Sequence, residues 1–168
     1  YYKSFMEWGM DGETNAFLEE VLIWLSENLP LSPNPKKLCW GDSRIGNVLF
    51  EDFQVKSLLD WEMATIGDPL CDLAWGLTTD DVSSHGLNIE KLPGSIANEE
   101  AIKFWEKNTG YSADNFFYYR ILCLFKFSVI MIRVAKKLIH NEIMPLDSDF
   151  HVNNHVSNYL RQEFNEKN

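Results

Sequence analysis

The stretch of sequence that decides the fold is residues 38–50, LCWGDSRIGNVLF, followed by residues 58–62, LLDWE. The first residues of this stretch predict a short strand, and the polar loop after it runs from Gly41 to Gly46. Two apolar runs, residues 47–50 and 55–59, flank the sequence EDFQ and predict a β-hairpin. The loop and the hairpin therefore place polar side chains at the ends of short strands.

Three of these polar side chains have the spacing of a phosphoryl-transfer site. Four residues separate Asp42 from Asn47, which is the D-x-x-x-x-N spacing of a kinase catalytic loop, and Asp60 ends an apolar strand. Phosphoryl transfer needs a carboxylate beside the attacking hydroxyl and separate oxygen ligands for Mg²⁺, a hard cation. The pattern predicts Asp42 as the base and Asn47 and Asp60 as the magnesium ligands.

Each of these residues alone also has an ordinary explanation. Gly-Asp is common in turns, an Asn before a strand often closes a loop, and Asp60 could be a polar residue where a strand reaches the surface. The order of loop, hairpin and strand favours the functional interpretation over three unrelated turn residues.

The rest of the chain predicts a mainly helical domain. Helical periodicity and start signals predict helices over residues 14–28, 68–79, 98–110, 112–140 and 149–164. Together with one or two small early β-hairpins they predict an α+β fold, with residues 1–168 as a single domain.

Composition and charge limit the classes of function. The apolar fraction of 45% is enough for a core, and the formal net charge of −10 argues against nucleic acids and anionic membranes as partners. Three widely spaced cysteines (Cys39, Cys71 and Cys123) suggest a reducing, cytoplasmic location. The most apolar stretch, residues 121–134, is interrupted by Lys126 and Arg133, so no membrane span is expected.

The motifs GDSRIGNVLF (41–50), LLDWE (58–62) and GDPLCDLA (67–74) resemble those of the aminoglycoside phosphotransferase and choline kinase family. The resemblance covers residues 38–75. It implies a protein-kinase-like C-terminal lobe, ATP with Mg²⁺ as the phosphate donor and a small hydroxylated molecule as the acceptor.

The resemblance also implies roles for neighbouring residues. Leu49 falls where the family forms the floor of the adenine pocket. Arg44 falls where related kinases place a cation near the transferred phosphate, with a salt bridge inside the loop as an equal alternative. Asp72 matches a carboxylate that receives backbone N–H groups of the catalytic loop, although an Asp in a first helical turn also favours the helix dipole. Trp40 replaces the usual histidine and can support the loop by packing and through its indole N–H.

No Gly-rich loop, strand lysine or partner glutamate of the small kinase lobe is found in the sequence. We therefore expect the N-terminal lobe to be absent from this chain, and the chain alone to have little kinase activity. A catalytically inactive kinase-like binding module or a truncated remnant is the main alternative, and a magnesium-dependent phosphohydrolase fits the motif order less well. The motifs leave the acceptor open among aminoglycosides, choline, sugars, homoserine-like alcohols and hydroxyacyl compounds. Asp80 and Asp81 could attract a cationic acceptor, although adjacent loop acids are more often solvated.

Overall fold

A computed structural model describes residues 1–167 of the chain. Over that range it has six α-helices and four short strands. In chain order they are α1 (Tyr2–Met10), α2 (Ala16–Glu27), β1 (Lys37–Cys39), β2 (Val48–Glu51), β3 (Gln54–Leu58), β4 (Thr65–Gly67), α3 (Leu70–Ser84), α4 (Asn98–Thr109), α5 (Phe116–His140) and α6 (His155–Lys167). The elements form two compact units, one of residues 1–29 and the chain from Ile121 onward, the other of Pro30–Arg120.

The first unit is helical. Each of its helices contributes side chains that are at most 4% exposed, among them Met10 from α1, Val21 from α2, Phe125 from α5 and Leu160 from α6. The start of α2 is fixed by Asn15, whose side-chain oxygen accepts a hydrogen bond from the Leu18 backbone N–H at 3.1 Å. The helix predicted over residues 14–28 is thereby confirmed, with Asn15 as its N-cap.

The second unit contains all four strands, arranged as two separate antiparallel pairs. β2 and β3 form the predicted hairpin, with Val48 opposite Leu58. β1 pairs with β4, which places Lys37 opposite Gly67, so this pair is not a hairpin of adjacent strands. In the chain, the polar loop and the hairpin both lie between β1 and β4. The short β1–β4 pair therefore holds together the two ends of this segment, residues 37–67, which we call the motif region.

The start of α3 is fixed by Asp68. Its carboxylate accepts hydrogen bonds from the backbone N–H groups of Leu70 (2.9 Å) and Asn34 (2.8 Å) and from the Tyr119 hydroxyl (3.2 Å). Burial, and then the neighbouring Asp68 carboxylate, raise the pKa of Tyr119 above its usual value of 10.0. The helix predicted from residue 68 thus begins at Leu70, and Asp68 ties its start to Asn34 in the segment before β1.

Several helix boundaries differ from the sequence prediction. α3 continues to Ser84, five residues beyond the predicted end, while α5 begins at Phe116 and α6 at His155, later than expected. The predicted end of α4 is confirmed by Gly110, which has a φ of 73°. α1 was not predicted. Among residues 1–167, no helix is long and apolar enough to cross a membrane.

Candidate active site

The Asp42 side chain is held by three hydrogen-bond donors. Asn47 Nδ2 lies 2.7 Å from Oδ2 and Arg44 Nε lies 3.1 Å from the same oxygen, while Trp75 Nε1 donates to Oδ1 at 2.7 Å. The Asp42 side chain is 13% exposed, so these donors compensate most of its lost hydration while a small part stays accessible.

The Asn47 side chain binds Asp42 through its amide nitrogen. Nδ2 also donates to the Asp42 carbonyl oxygen at 3.1 Å, so both of its hydrogen bonds go to the same residue. These hydrogen bonds fix the orientation of the Asn47 carboxamide and direct its oxygen away from Asp42. An amide oxygen is one of the ligand types that Mg²⁺ accepts.

Asp60 is connected to these residues through the backbone of its neighbour. The Leu59 N–H donates to the Asn47 carbonyl at 2.8 Å, and the Leu59 carbonyl accepts from the Trp40 indole at 2.8 Å. Asp60 follows with a φ of 61°, a left-handed conformation that Asp tolerates better than most residues, and it is exposed. The structure thus brings Asp42 and Asn47 into contact and connects the chain just before Asp60 to Asn47.

Asp72 holds the start of the polar loop against α3. Its two carboxylate oxygens accept the backbone N–H groups of Trp40 at 2.7 Å and Gly41 at 2.8 Å. The Ser43 hydroxyl donates to the Asp72 carbonyl at 2.6 Å. Hydrogen bonds to a carboxylate are stronger than neutral ones, so Asp72 holds the start of the loop firmly on α3.

Gly41 is required at its position for two reasons. Its φ of 91° is unfavourable for residues with a side chain, and an added Cβ would overlap the carbonyl group of Met63. We expect Gly41→Ala to lower the free energy of unfolding by roughly 2–5 kcal/mol in a urea titration, from backbone strain plus overpacking.

The matched control for this prediction is Gly46→Ala in the same loop region. Gly46 has no atom within 4 Å of an added Cβ and no positive φ, so a change of less than about 1 kcal/mol is expected. Equal losses in the two variants would contradict the assigned packing of the loop against Met63.

Arg44 and Leu49 lie at the exposed side of the motif region. The Arg44 side chain is 54% exposed and forms the loop salt bridge with Asp42, one of the two alternatives considered for it. Leu49, on β2, is 51% exposed, so its side chain is accessible to a ligand or to another part of a protein.

Asp81 is not solvated, contrary to expectation. It is 1% exposed, and its carboxylate accepts hydrogen bonds at 2.7 Å from Lys91, Asn98 and Arg120. Burial raises the pKa of Asp81, but the hydrogen bonds from Lys91 and Arg120 outweigh it and hold that pKa below its usual 3.8. Asp80 is exposed and pairs with Lys91 at 2.7 Å. Asp81 is therefore already neutralised and does not serve to attract a cationic acceptor.

Trp75 is the site residue that the sequence analysis missed. A usable signal was present, because Trp75 lies three residues after Asp72 and side chains at this spacing share a helix face. No group of three or more His, Cys, Asp or Glu side chains within residues 1–167 has a metal-binding arrangement. Asn47 and Asp60, the ligands predicted from the sequence, carry amide and carboxylate oxygens, the donor types that a hard cation prefers.

Comparison with known proteins decides the family. Residues 5–102, more than half of the chain, match the model of the phosphotransferase enzyme family, APH. The chain belongs to the phosphotransferase enzyme family. The resemblance seen in the motifs at residues 41–74 is therefore confirmed.

The curated proteins that this chain resembles are much longer than it is. Acyl-CoA dehydrogenase family member 11 of Gallus gallus is 33% identical over 138 residues, which are 74% of this chain and 18% of that protein. The Pongo abelii protein of the same name is 32% identical over 124 residues, 67% of this chain and 16% of that protein. The chain spans less than a fifth of the length of these relatives.

A solved structure shares the fold. A Ralstonia eutropha JMP134 protein described as a candidate aminoglycoside phosphotransferase superposes with a TM-score of 0.68 at 18% identity, covering 97% of this chain and 53% of that one. This confirms a kinase-like phosphotransferase fold for the family member. The chain spans about half the length of that protein.

Proposed function

We propose that this chain is the C-terminal lobe of an ATP-dependent phosphotransferase that moves the γ-phosphate to a hydroxyl of a small molecule. The observation that carries the proposal is the Asp42–Asn47 pair, in which one side chain is an oriented carboxylate and the other turns its amide oxygen away from it. A base and a ligand for a hard cation held in contact are what phosphoryl transfer requires.

Asp42 acts on the acceptor in this proposal. It accepts the proton of the attacking hydroxyl while the new O–P bond forms and the bond from the γ-phosphorus to the ADP oxygen breaks. Asn47 and Asp60 would hold Mg²⁺, which supplies charge neutralisation of the phosphate oxygens when bound. Arg44, exposed beside Asp42, is placed to exchange its carboxylate partner for a phosphate oxygen.

An N-terminal lobe would complete the site. Four apolar side chains of the hairpin are 38–58% exposed: Leu49, Phe50, Val55 and Leu58. Phe50 and Val55 lie opposite each other across the strands, whereas Leu49 lies opposite Ser57. Exposed apolar patches mark surfaces that another protein segment or a ligand covers. Leu49 would contact adenine there, and a lysine from the N-terminal lobe would offset part of the formal charge of −10.

The test compares this chain with the full-length protein that carries it. We expect the full-length protein with Mg²⁺ to phosphorylate a member of a hydroxylated acceptor panel, detected as ADP release and phosphorylated product. The panel contains aminoglycosides, choline, sugars and, because the curated relatives bear acyl-CoA names, hydroxyacyl thioesters. We expect the isolated chain to show no transfer above background, because in this proposal a second, N-terminal lobe completes the site.

One observation favours a second candidate, a kinase-like module that binds nucleotide without turnover. The Arg44 guanidinium sits on the Asp42 carboxylate at 3.1 Å and neutralises the proposed base in this state. If that ion pair persists with nucleotide bound, the full-length protein would bind ATP without consuming it. Arg44→Ala would then leave turnover absent, whereas in an active kinase it would reduce an existing rate.

A further inference from the structure

Trp75 donates a short hydrogen bond to the proposed base. Its Nε1 lies 2.7 Å from Asp42 Oδ1, and the Trp75 residue is 4% exposed, so the indole is held in place by its surroundings. An indole N–H is a donor only and does not titrate in water. Trp75 therefore cannot take up the proton that Asp42 would accept from a hydroxyl.

The two carboxylate oxygens of Asp42 are held from different parts of the fold. Oδ2 is bound by Arg44 and Asn47, both in or next to the same loop, whereas Oδ1 is bound by Trp75 from α3. Trp75 thus reaches this carboxylate from outside the loop. The terminal torsion of an Asp side chain is broad, so a fixed donor at Oδ1 restricts its rotation.

The same helix also holds the backbone around Asp42. Asp72, three residues before Trp75, binds the N–H groups of Trp40 and Gly41. A Cβ added at Gly76 would come within 2.8 Å of the Ser43 carbonyl oxygen, so the loop lies directly on α3. α3 thus fixes both the backbone and the carboxylate orientation of the residue proposed to do the chemistry.

We propose that Trp75 is a positioning residue that orients the Asp42 carboxylate for proton acceptance, an inference that rests on the proposed phosphotransferase function. It acts through Asp42 and touches neither ATP nor the acceptor. Its loss should therefore lower kcat and leave the KM for ATP unchanged.

The test removes the N–H and keeps the ring. Benzothienylalanine at position 75, introduced site-specifically in the full-length protein, has sulfur in place of the indole N–H at nearly the same size. We expect kcat to fall about tenfold, the cost of losing one hydrogen bond to a charged group, with the KM for ATP and the melting temperature close to wild type. Trp75→Phe should lose at least as much kcat, and the matched control Trp105→Phe should keep the wild-type kcat.

A spectroscopic measurement tests the contact without using activity. The chain has six tryptophans, so the ¹H–¹⁵N indole spectrum has six side-chain signals, and Trp75→Phe assigns one of them. Asp42→Asn should move the Trp75 signal upfield, because a charged acceptor becomes neutral, while Asp52→Asn should leave it in place.

The outcomes separate the two proposals. If the wild-type protein transfers phosphate to no acceptor, the proposed function is overturned. The response of the Trp75 indole NMR signal to Asp42→Asn then tests by itself whether the indole binds the Asp42 carboxylate. If the wild-type protein is active and the benzothienylalanine variant has the same kcat, the positioning role of Trp75 is overturned. A Trp75 signal that does not respond to Asp42→Asn overturns the contact itself.

Discussion

Replacing Asp42 by Asn should lower the phosphoryl-transfer kcat of the full-length protein by about 10²–10⁴, the range that a positioned general base contributes. The substitution keeps the size and shape of the side chain, which matters because three donors surround it. It removes the negative charge and most of the basicity that accept the hydroxyl proton. The measurement is initial-rate kinetics at saturating ATP and acceptor, with the KM for ATP followed in parallel.

Asp52→Asn is the matched control for this substitution. Asp52 is an exposed residue in the turn between β2 and β3, with a φ of 50° that Asn adopts as readily as Asp. It should retain the wild-type kcat. If Asp42→Asn also retained it, Asp42 would not be the base, and the interpretation as a binding module without catalysis would gain its strongest support.

Asp60→Ala should greatly raise the Mg²⁺ concentration that phosphoryl transfer requires. Asp60 is a better test than Asn47, because the Asn47 amide also holds Asp42 and its removal would disturb two functions at once. We expect the Mg²⁺ concentration that supports half-maximal rate to rise by at least about 100-fold. Removing a residue that only hydrogen-bonds to a metal ligand already lowers metal affinity about 10–100-fold, and Asp60 is proposed to bind the ion directly. The measurement is the rate as a function of free Mg²⁺ at fixed ATP, with Mn²⁺ binding followed by electron paramagnetic resonance.

Glu62→Ala controls for the loss of a nearby acidic side chain. Glu62 is exposed and lies two residues after Asp60, so its removal changes the local charge by the same amount. It should leave the magnesium dependence unchanged. Equal shifts in both variants would indicate a general charge effect, and no shift in Asp60→Ala would remove this residue from the metal site.

Sequence spacing predicted the local part of this site well. Asp42 and Asn47 come from one loop, so their approach to 2.7 Å follows from a short turn. The hairpin was also predictable, because two apolar runs flank a polar turn and adjacent strands pair readily. The kinase-like phosphotransferase fold was implied by the resemblance of these motifs to those of a known family.

Features formed by distant residues were not predictable in the same way. β4 has three residues and pairs with β1 across an intervening hairpin, so no local alternation marks it as a strand. Asp81 looked like a solvated loop acid because its partners Lys91, Asn98 and Arg120 lie 10, 17 and 39 residues away. The contact of Trp75 with Asp42 spans 33 residues and depends on where the loop lies on α3.

The crystal structure of the full-length protein with Mg²⁺ and a non-hydrolysable ATP analogue tests the central claim most directly. The account predicts that the Asn47 amide oxygen and the Asp60 carboxylate both coordinate the ion at about 2.1 Å, with the Asp42 carboxylate facing the γ-phosphate. An ion bound by other residues, or an Asp42 carboxylate turned away from the nucleotide, would contradict it.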